Sequence, residues 1–400
     1  VSAADLPTLP SHPSRPSGSA PGATGEVLSV LRSLPRSDQR RWGELYVRGL
    51  LAVREKKTMR ALAQGAGSGV EQSLYQFISK SPWNDGPVRG DLARLLDERA
   101  RPRAWVVQPL VIPKVGRHSV GVERQWVSQA SRLVNCQKAA SVWLAWDDAS
   151  CPVDWQLALP ECWTDREDLR RRASIPADVG PRPPEQCGLD SVRRMSREWG
   201  LRGGPVVMDL RETAPHPVCA DLVAGRIPFV VRVHPSSVTL SPPGPAELLS
   251  TLHGRRMPVE WFDHVTGTTR ATAVGAARVT LCGGAARPEP PEPLDLLLLA
   301  AWAAPGARSP SEFWLSNLAR SRLGSVYRTA MLRRRVERDL AEAGDDLGMR
   351  DFEGRSYRGW HHHMTMVSLA HAATALSPRR ARGPLHPAGR LPGAAEVGVV

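Results

Sequence analysis

Four hundred residues are enough for two to three ordinary domains, or for one large domain carrying an insertion. Apolar content of 42% and charged content of 23% are those of a folding chain, while a formal charge of +13 draws it towards polyanions, of which nucleic acid is the commonest. No apolar run reaches the roughly eighteen residues of a membrane helix, no segment reads as an export signal, and the six cysteines lack any CxxC spacing. A membrane span and a zinc knuckle are thereby excluded, and free thiols in the cytoplasm are expected.

Taken in chain order, residues 1–25 are rich in Ser, Pro, Gly and Ala and are expected to be disordered. Residues 26–102 form a basic helical unit. Within it 37–64 carries Leu45, Val47, Leu50, Leu51 and Val53 at helical spacing, and 70–78 and 87–99 repeat the pattern. Arg40, Arg41, Lys56 and Lys57 make this unit a candidate DNA-binding region. The period then shortens: 104–112, 139–146 and 155–159 read as strands. Helical 185–199, strand 205–209, helical 217–224 and strand 228–233 follow, an alternation that implies a mixed sheet covered by helices. Residues 235–292 are punctuated by Pro and Gly, with short β-like pieces at 258–262 and 277–282, and read as an insertion. The apolar run 294–303, the segment 313–318, a long basic helix 326–347 and a last helix 361–376 complete residues 293–376. Residues 377–400, with Arg379, Arg380 and Arg382, read as a disordered basic tail. The fold class is therefore α/β. Strands first, a β-rich insertion and then a closing helix are the order of an interrupted ribonuclease-H-like domain.

Several stretches are specific enough to carry a resemblance. They are Val120-Gly121-Val122-Glu123-Arg124-Gln125-Trp126, Val134-Asn135-Cys136-Gln137, Ala149-Ser150-Cys151-Pro152, Leu159-Pro160-Glu161, Phe313-Trp314-Leu315-Ser316-Asn317 and, most of all, Asp351-Phe352-Glu353-Gly354-Arg355-Ser356-Tyr357-Arg358-Gly359-Trp360 with His361, His362 and His363. In order and content, from about Tyr46 to Ala372, the chain resembles the bacterial DDE transposases of the insertion sequence 701 type. The resemblance implies an enzyme that recognises terminal inverted repeats in double-stranded DNA, cuts them, and joins the 3′-hydroxyl to target DNA, working as a homodimer with magnesium, or manganese in its place. It assigns Asp209, ending its strand, and Glu337, on the long helix, as the second and third catalytic and metal-binding carboxylates. Lys114, Arg333, Arg334, Arg335, Arg338, Arg355 and Arg358 are the expected DNA contacts.

The chain departs from the family where the chemistry would be. Where the family reads Val-Val-Asp-Asp-Thr-Gly-Phe-Pro-Lys, this chain reads Val106-Val107-Gln108-Pro109-Leu110-Val111-Ile112-Pro113-Lys114, so Gln108 stands at the first metal-binding aspartate. An amide oxygen can coordinate magnesium but brings no charge. Leu210-Arg211-Glu212 replaces a small Gly-Tyr-Gly turn, and Gly344 stands where a phosphate-contacting lysine is usual. Asp147 and Asp148 close a different strand and match a position without a catalytic role. Three readings follow: an impaired transposase, an inactive relative that only binds DNA, and a chain whose decay has reached the fold, because Pro109 interrupts an expected central strand. The three adjacent histidines point about 100° apart on a helix and cannot share one ion, which leaves them to packing or DNA contact.

Overall fold

The N-terminal amphipathic segments of the computed structural model, which describes residues 22–241, 248, 252, 256–283, 292–303, 307–319 and 322–377, fold as five helices. They are Ala23–Ser29 (α1), Ser37–Ala52 (α2), Met59–Leu62 (α3), Val70–Ser79 (α4) and Asp85–Ala100 (α5). The helix expected over 37–64 is broken at Val53, whose backbone is extended. Thr58 restarts it by accepting from Ala61 N, and Asn84 caps α5 by accepting from Gly86 N. The expected disordered ends lie outside the described residues except for 22–25, where α1 begins, and 377, and so do Arg379, Arg380 and Arg382.

The strands are Ala104–Pro113 (β1), Glu123–Val127 (β2), Arg132–Ala145 (β3) and Ser150–Ala158 (β4). Two short helices, Glu161–Asp165 (α6) and Glu167–Ala173 (α7), lead to the crossover helix Pro184–Glu198 (α8), and then Val206–Asp209 (β5), Pro215–Ala224 (α9) and Phe229–Val233 (β6) alternate as expected. β3 is antiparallel to β1 along its length and carries β4 and β2 on its other edge. β1 runs parallel to β5, and β5 parallel to β6. Three antiparallel strands followed by two parallel ones, order β4–β3–β1–β5–β6, are consistent with a ribonuclease-H-like sheet.

The region expected as an insertion extends this sheet. Thr239–Leu240 (β7), Met257–Asp263 (β8), Thr268–Cys282 (β9), Leu294–Trp302 (β10) and Glu312–Ser316 (β11) are all antiparallel, and β11 joins them to the edge of β6. The ladder passes position 292 without a break, because β9 pairs with β10 and β10 with β11. The leucine-rich run is a strand with most of its residues buried, which is why it shows no alternation. Leu323–Asp346 (α10) and Tyr357–Ala375 (α11) close the described chain.

Pro109 does not interrupt β1. Trp105 N donates to Pro205 O at 3.0 Å, so odd-numbered residues of β1 direct their nitrogens towards β5. The β1–β5 ladder covers only Trp105 and Val106. Pro109 therefore turns its ring nitrogen to a side where no strand waits for a donor, while its pairing with Ala140 of β3 stays in register. The proline is placed as on an edge strand, and the β1–β3 ladder stays in register across it.

Helix α11 is buried from Gly359 to Ala373 and is packed by β4 on one side and by α1, α2, α4 and α5 on the others. One core thus joins the N-terminal helices to the sheet. At its centre Arg89 uses all five of its donors: Nε to Thr365, Nη1 to Asp154 and to Trp155 O, Nη2 to His361 O and to Asp85. Asp154 also accepts from Arg194, so a buried carboxylate is held between two guanidiniums. The three histidines point apart and serve packing. His361 Nδ1 donates to Tyr357 O, His362 stacks on Trp83, and His363 lies between Tyr46 Oη and Gly348 O.

Candidate functional site

Strand register sets the site. Trp105 lies opposite Val206 and Val106 opposite Val207, so continuing along both strands brings Gln108 level with Asp209. Asp209 pairs with Arg232 of β6, and Arg232 with Trp314 of β11. Residues level with one another in neighbouring strands share a face. Gln108, Asp209, Arg232 and Trp314 therefore form one row across the sheet, and α10 lies over it with Arg333 and Glu337. Gln108, Asp209 and Glu337 line one cavity of about 410 Å³, together with Pro109, Trp126, Lys138, Glu185, Arg211, Glu212 and Arg333 among others. The three positions singled out in the sequence are thus brought together, while Asp147 and Asp148 line a different cavity and Asp147 is paired with Arg103.

Neither carboxylate stands free. Arg211, two residues beyond Asp209, forks onto it: Nε lies 2.9 and 3.0 Å from the two oxygens and Nη2 2.8 Å from Oδ2. Burial pushes the Asp209 carboxyl up, but the Arg211 hydrogen bonds and charge outweigh it, leaving the group below its ordinary value. Glu337 accepts from Arg333 Nη1 and, at 3.0 Å, from Arg334 Nη1. Glu312 bridges Arg232 Nη2 at 2.7 Å and Arg333 Nη2 at 3.2 Å, and both guanidiniums lie over the Trp314 ring. Asp209, Glu312 and Glu337 are thus enclosed by Arg211, Arg232, Arg333 and Arg334.

These residues do not fit a pair of divalent ions as they are arranged. One of the three expected ligands is a neutral amide, Gln108 Nε2 being turned to its neighbour Pro109 O at 3.2 Å. The two carboxylates already have guanidiniums where a cation would be. Glu185 and Glu212 add carboxylates to the lining, yet among the described residues no three acidic, histidine or cysteine side chains are placed to hold a metal ion.

The expected DNA contacts divide sharply. Arg355 and Arg358 are exposed. Arg333 and Arg334 belong to the network just described, and Arg334 also forks onto Asp263. Arg335 is buried, paired with Asp339, which accepts in turn from Ser150 N and Oγ, so it holds α10 to β4. Arg338 pairs with Glu342 and reaches His264 O. Lys114 donates to Arg350 O and Phe352 O, and desolvation lowers its pKa. Lys57 is buried and donates its backbone N–H to Asp351, and Lys56 pairs with Glu353. The 351–363 signature is accordingly a clasp between the N-terminal helices, β1 and α11. Gly359 N donates to Ser356 Oγ, the α11 cap, and a side chain at Gly354 would collide with the Phe352 ring.

Sequence reasoning missed Arg232, Glu312, Lys138 and Glu185. Arg232 had a signal, a single charge inside the apolar run Phe229–Val233. Glu312 had none, because its partners come from β6 and α10. The family described as DDE superfamily endonuclease matches residues 29–242, more than half of the chain, which takes in Gln108 and Asp209 and stops short of Glu337. No curated protein matches it.

Proposed function

We propose, from the premise that this chain belongs to the DDE superfamily endonucleases, that it is a transposase of the insertion sequence 701 type in which strand cleavage is impaired. The coarser part follows from membership: such endonucleases act on DNA and typically use divalent metal ions. The finer part rests on one observation, the meeting of Gln108, Asp209 and Glu337 in a single cavity with Arg211 forked onto Asp209. The meeting supports a transposase architecture, with double-stranded DNA at terminal inverted repeats as ligand and two copies of the chain pairing two ends. Gln108 and the guanidiniums support the loss of metal-dependent cutting. A second reading, a relative that only binds DNA, is favoured by the same fork, since a bidentate Arg–carboxylate pair competes directly with a cation for both Asp209 oxygens.

The deciding experiment is nicking of supercoiled plasmid by the purified chain with magnesium or manganese, beside Asp209→Ala and a salt-titrated DNA-binding assay. Residual nicking that disappears in Asp209→Ala supports the impaired enzyme. Salt-sensitive binding without nicking supports the binding-only relative. Loss of both activities in a folded chain would overturn the DNA reading.

A further inference from the structure

Hairpin β2–β3 carries an apolar pair that the fold leaves in water. Trp126 and Leu133 face one another across the hairpin, 56% and 54% exposed. A cross-strand aromatic–aliphatic pair normally serves to bury itself, so one left outside marks a surface that another molecule covers. Three details identify what covers it.

Trp126 is not on a remote arm: it lines the same cavity as Gln108, Asp209 and Glu337, with Ser128 and Gln129 of the hairpin turn beside it. On the hairpin face that bears it, the charge is positive. Arg124, two residues before Trp126 on the same face, is exposed and has no hydrogen-bonded or ion-pair partner among the described residues, while Arg132, opposite Val127, belongs to the other face. Lys138 reaches across to donate to Trp126 O at 2.9 Å. The nearest acid on β2, Glu123, faces the other way and bonds Cys162. A second copy of the hairpin would set Arg124 against Arg124, whereas a DNA strand brings a phosphate to that arginine and a flat base to the indole.

We propose that Trp126, with Leu133 beside it, is the stacking platform for an unpaired nucleobase at a DNA end, and that Arg124 holds the adjoining phosphate. This rests on the DNA-binding reading above. Bases inside a duplex are covered by their neighbours, so the platform accepts only a base that is unpaired or drawn out of the stack. It therefore selects strand ends over continuous duplex, and needs no metal ion to do so.

The test uses the full chain and two DNAs of equal length, one blunt and one with a short single-stranded overhang carrying 2-aminopurine, with affinity read by anisotropy and stacking by 2-aminopurine quenching. The expected result is tighter binding to the overhang, with quenching. Trp126→Ala should lose about tenfold in overhang affinity together with the quench, while blunt-end affinity stays within a few-fold and Trp126→Phe retains most of both. Thermal unfolding of each variant confirms that an exposed position has been changed without loss of the fold. Duplex binding by the unsubstituted chain with no overhang preference, or a preference that survives Trp126→Ala, overturns this assignment and leaves the DNA reading intact. So does a change of sedimentation in Trp126→Ala with the preference unchanged, which makes the hairpin a contact between copies. Failure of the unsubstituted chain to bind any DNA overturns both.

Discussion

Arg89 and Arg211 each grip an aspartate, yet they stand at opposite ends of what an ion pair can do. Arg89 is 1% exposed and has an acceptor for each of its five donors, drawn from α5, β4 and α11. Arg211 has a side chain 48% exposed, holds a neighbour two residues away, and ties no two elements together. Next to it the network is incomplete, since the buried Nε atoms of Arg232 and Arg333 have no partner. Arg89 leaves none of its donors unmatched, as a structural node requires. The cluster around Arg211 is paired but unfinished.

The sharpest way to break the comparison is Arg89→Ala. It leaves Asp154 buried beside Arg194 alone and should cost about 3–5 kcal/mol in denaturant unfolding. A loss below about 1 kcal/mol would mean that the node is no more structural than the pocket. Next comes acid. Burial holds the imidazoles of His361 and His363 down at about 4, against 6.5 in an unfolded chain. The unfolded chain then takes up protons first. Stability should be complete above pH 6.5 and fall as the pH drops towards 4, by on the order of 2–3 kcal/mol for each histidine, as read from unfolding midpoints across that window. Smaller still is the stability change in Arg211→Gly, less than about 1 kcal/mol, because exposed pairs contribute little. Combined with Gln108→Asp, however, it should bring metal-dependent plasmid nicking up from background, whereas the same pair of changes with Asp209→Ala should give none. Arg355→Ala and Arg358→Ala should leave stability unchanged and each lower the salt slope of DNA binding by about 1. Arg335→Ala, by contrast, should unsettle the fold.

Much of this was legible in the residues. Apolar period placed the strands flanking the site, Asp209 was read at a strand end, and Gln108 stood out against a resemblance. The row joining Gln108 to Asp209 and Arg232 was not legible, because register between parallel strands depends on the length of the crossover, and no local pattern states it. The partners of the charged residues were less legible: Arg335 and Lys114 were expected as DNA contacts, and in the fold Arg335 pairs with Asp339 and Lys114 donates to Arg350 O and Phe352 O. The i,i+4 spacing of Arg335 and Asp339 was the available sign that this arginine already had a partner inside the molecule. β10 was read only as an apolar run, since a strand buried on both faces loses the alternation by which strands are recognised.

Helix α11 is the last of the described elements in the chain and the one most surrounded by others. Until it is made, α5 meets β4 through Arg89 and Asp154, but α1, α2 and α4 lack the helix on which they pack, and Arg89 lacks Thr365 and His361 O to complete its bonds. Such a chain cannot settle piece by piece as it leaves the ribosome. Its early helices must wait, loosely formed, for a segment translated some 250 residues later, and a truncation just before Tyr357 would remove the centre of the molecule along with its end.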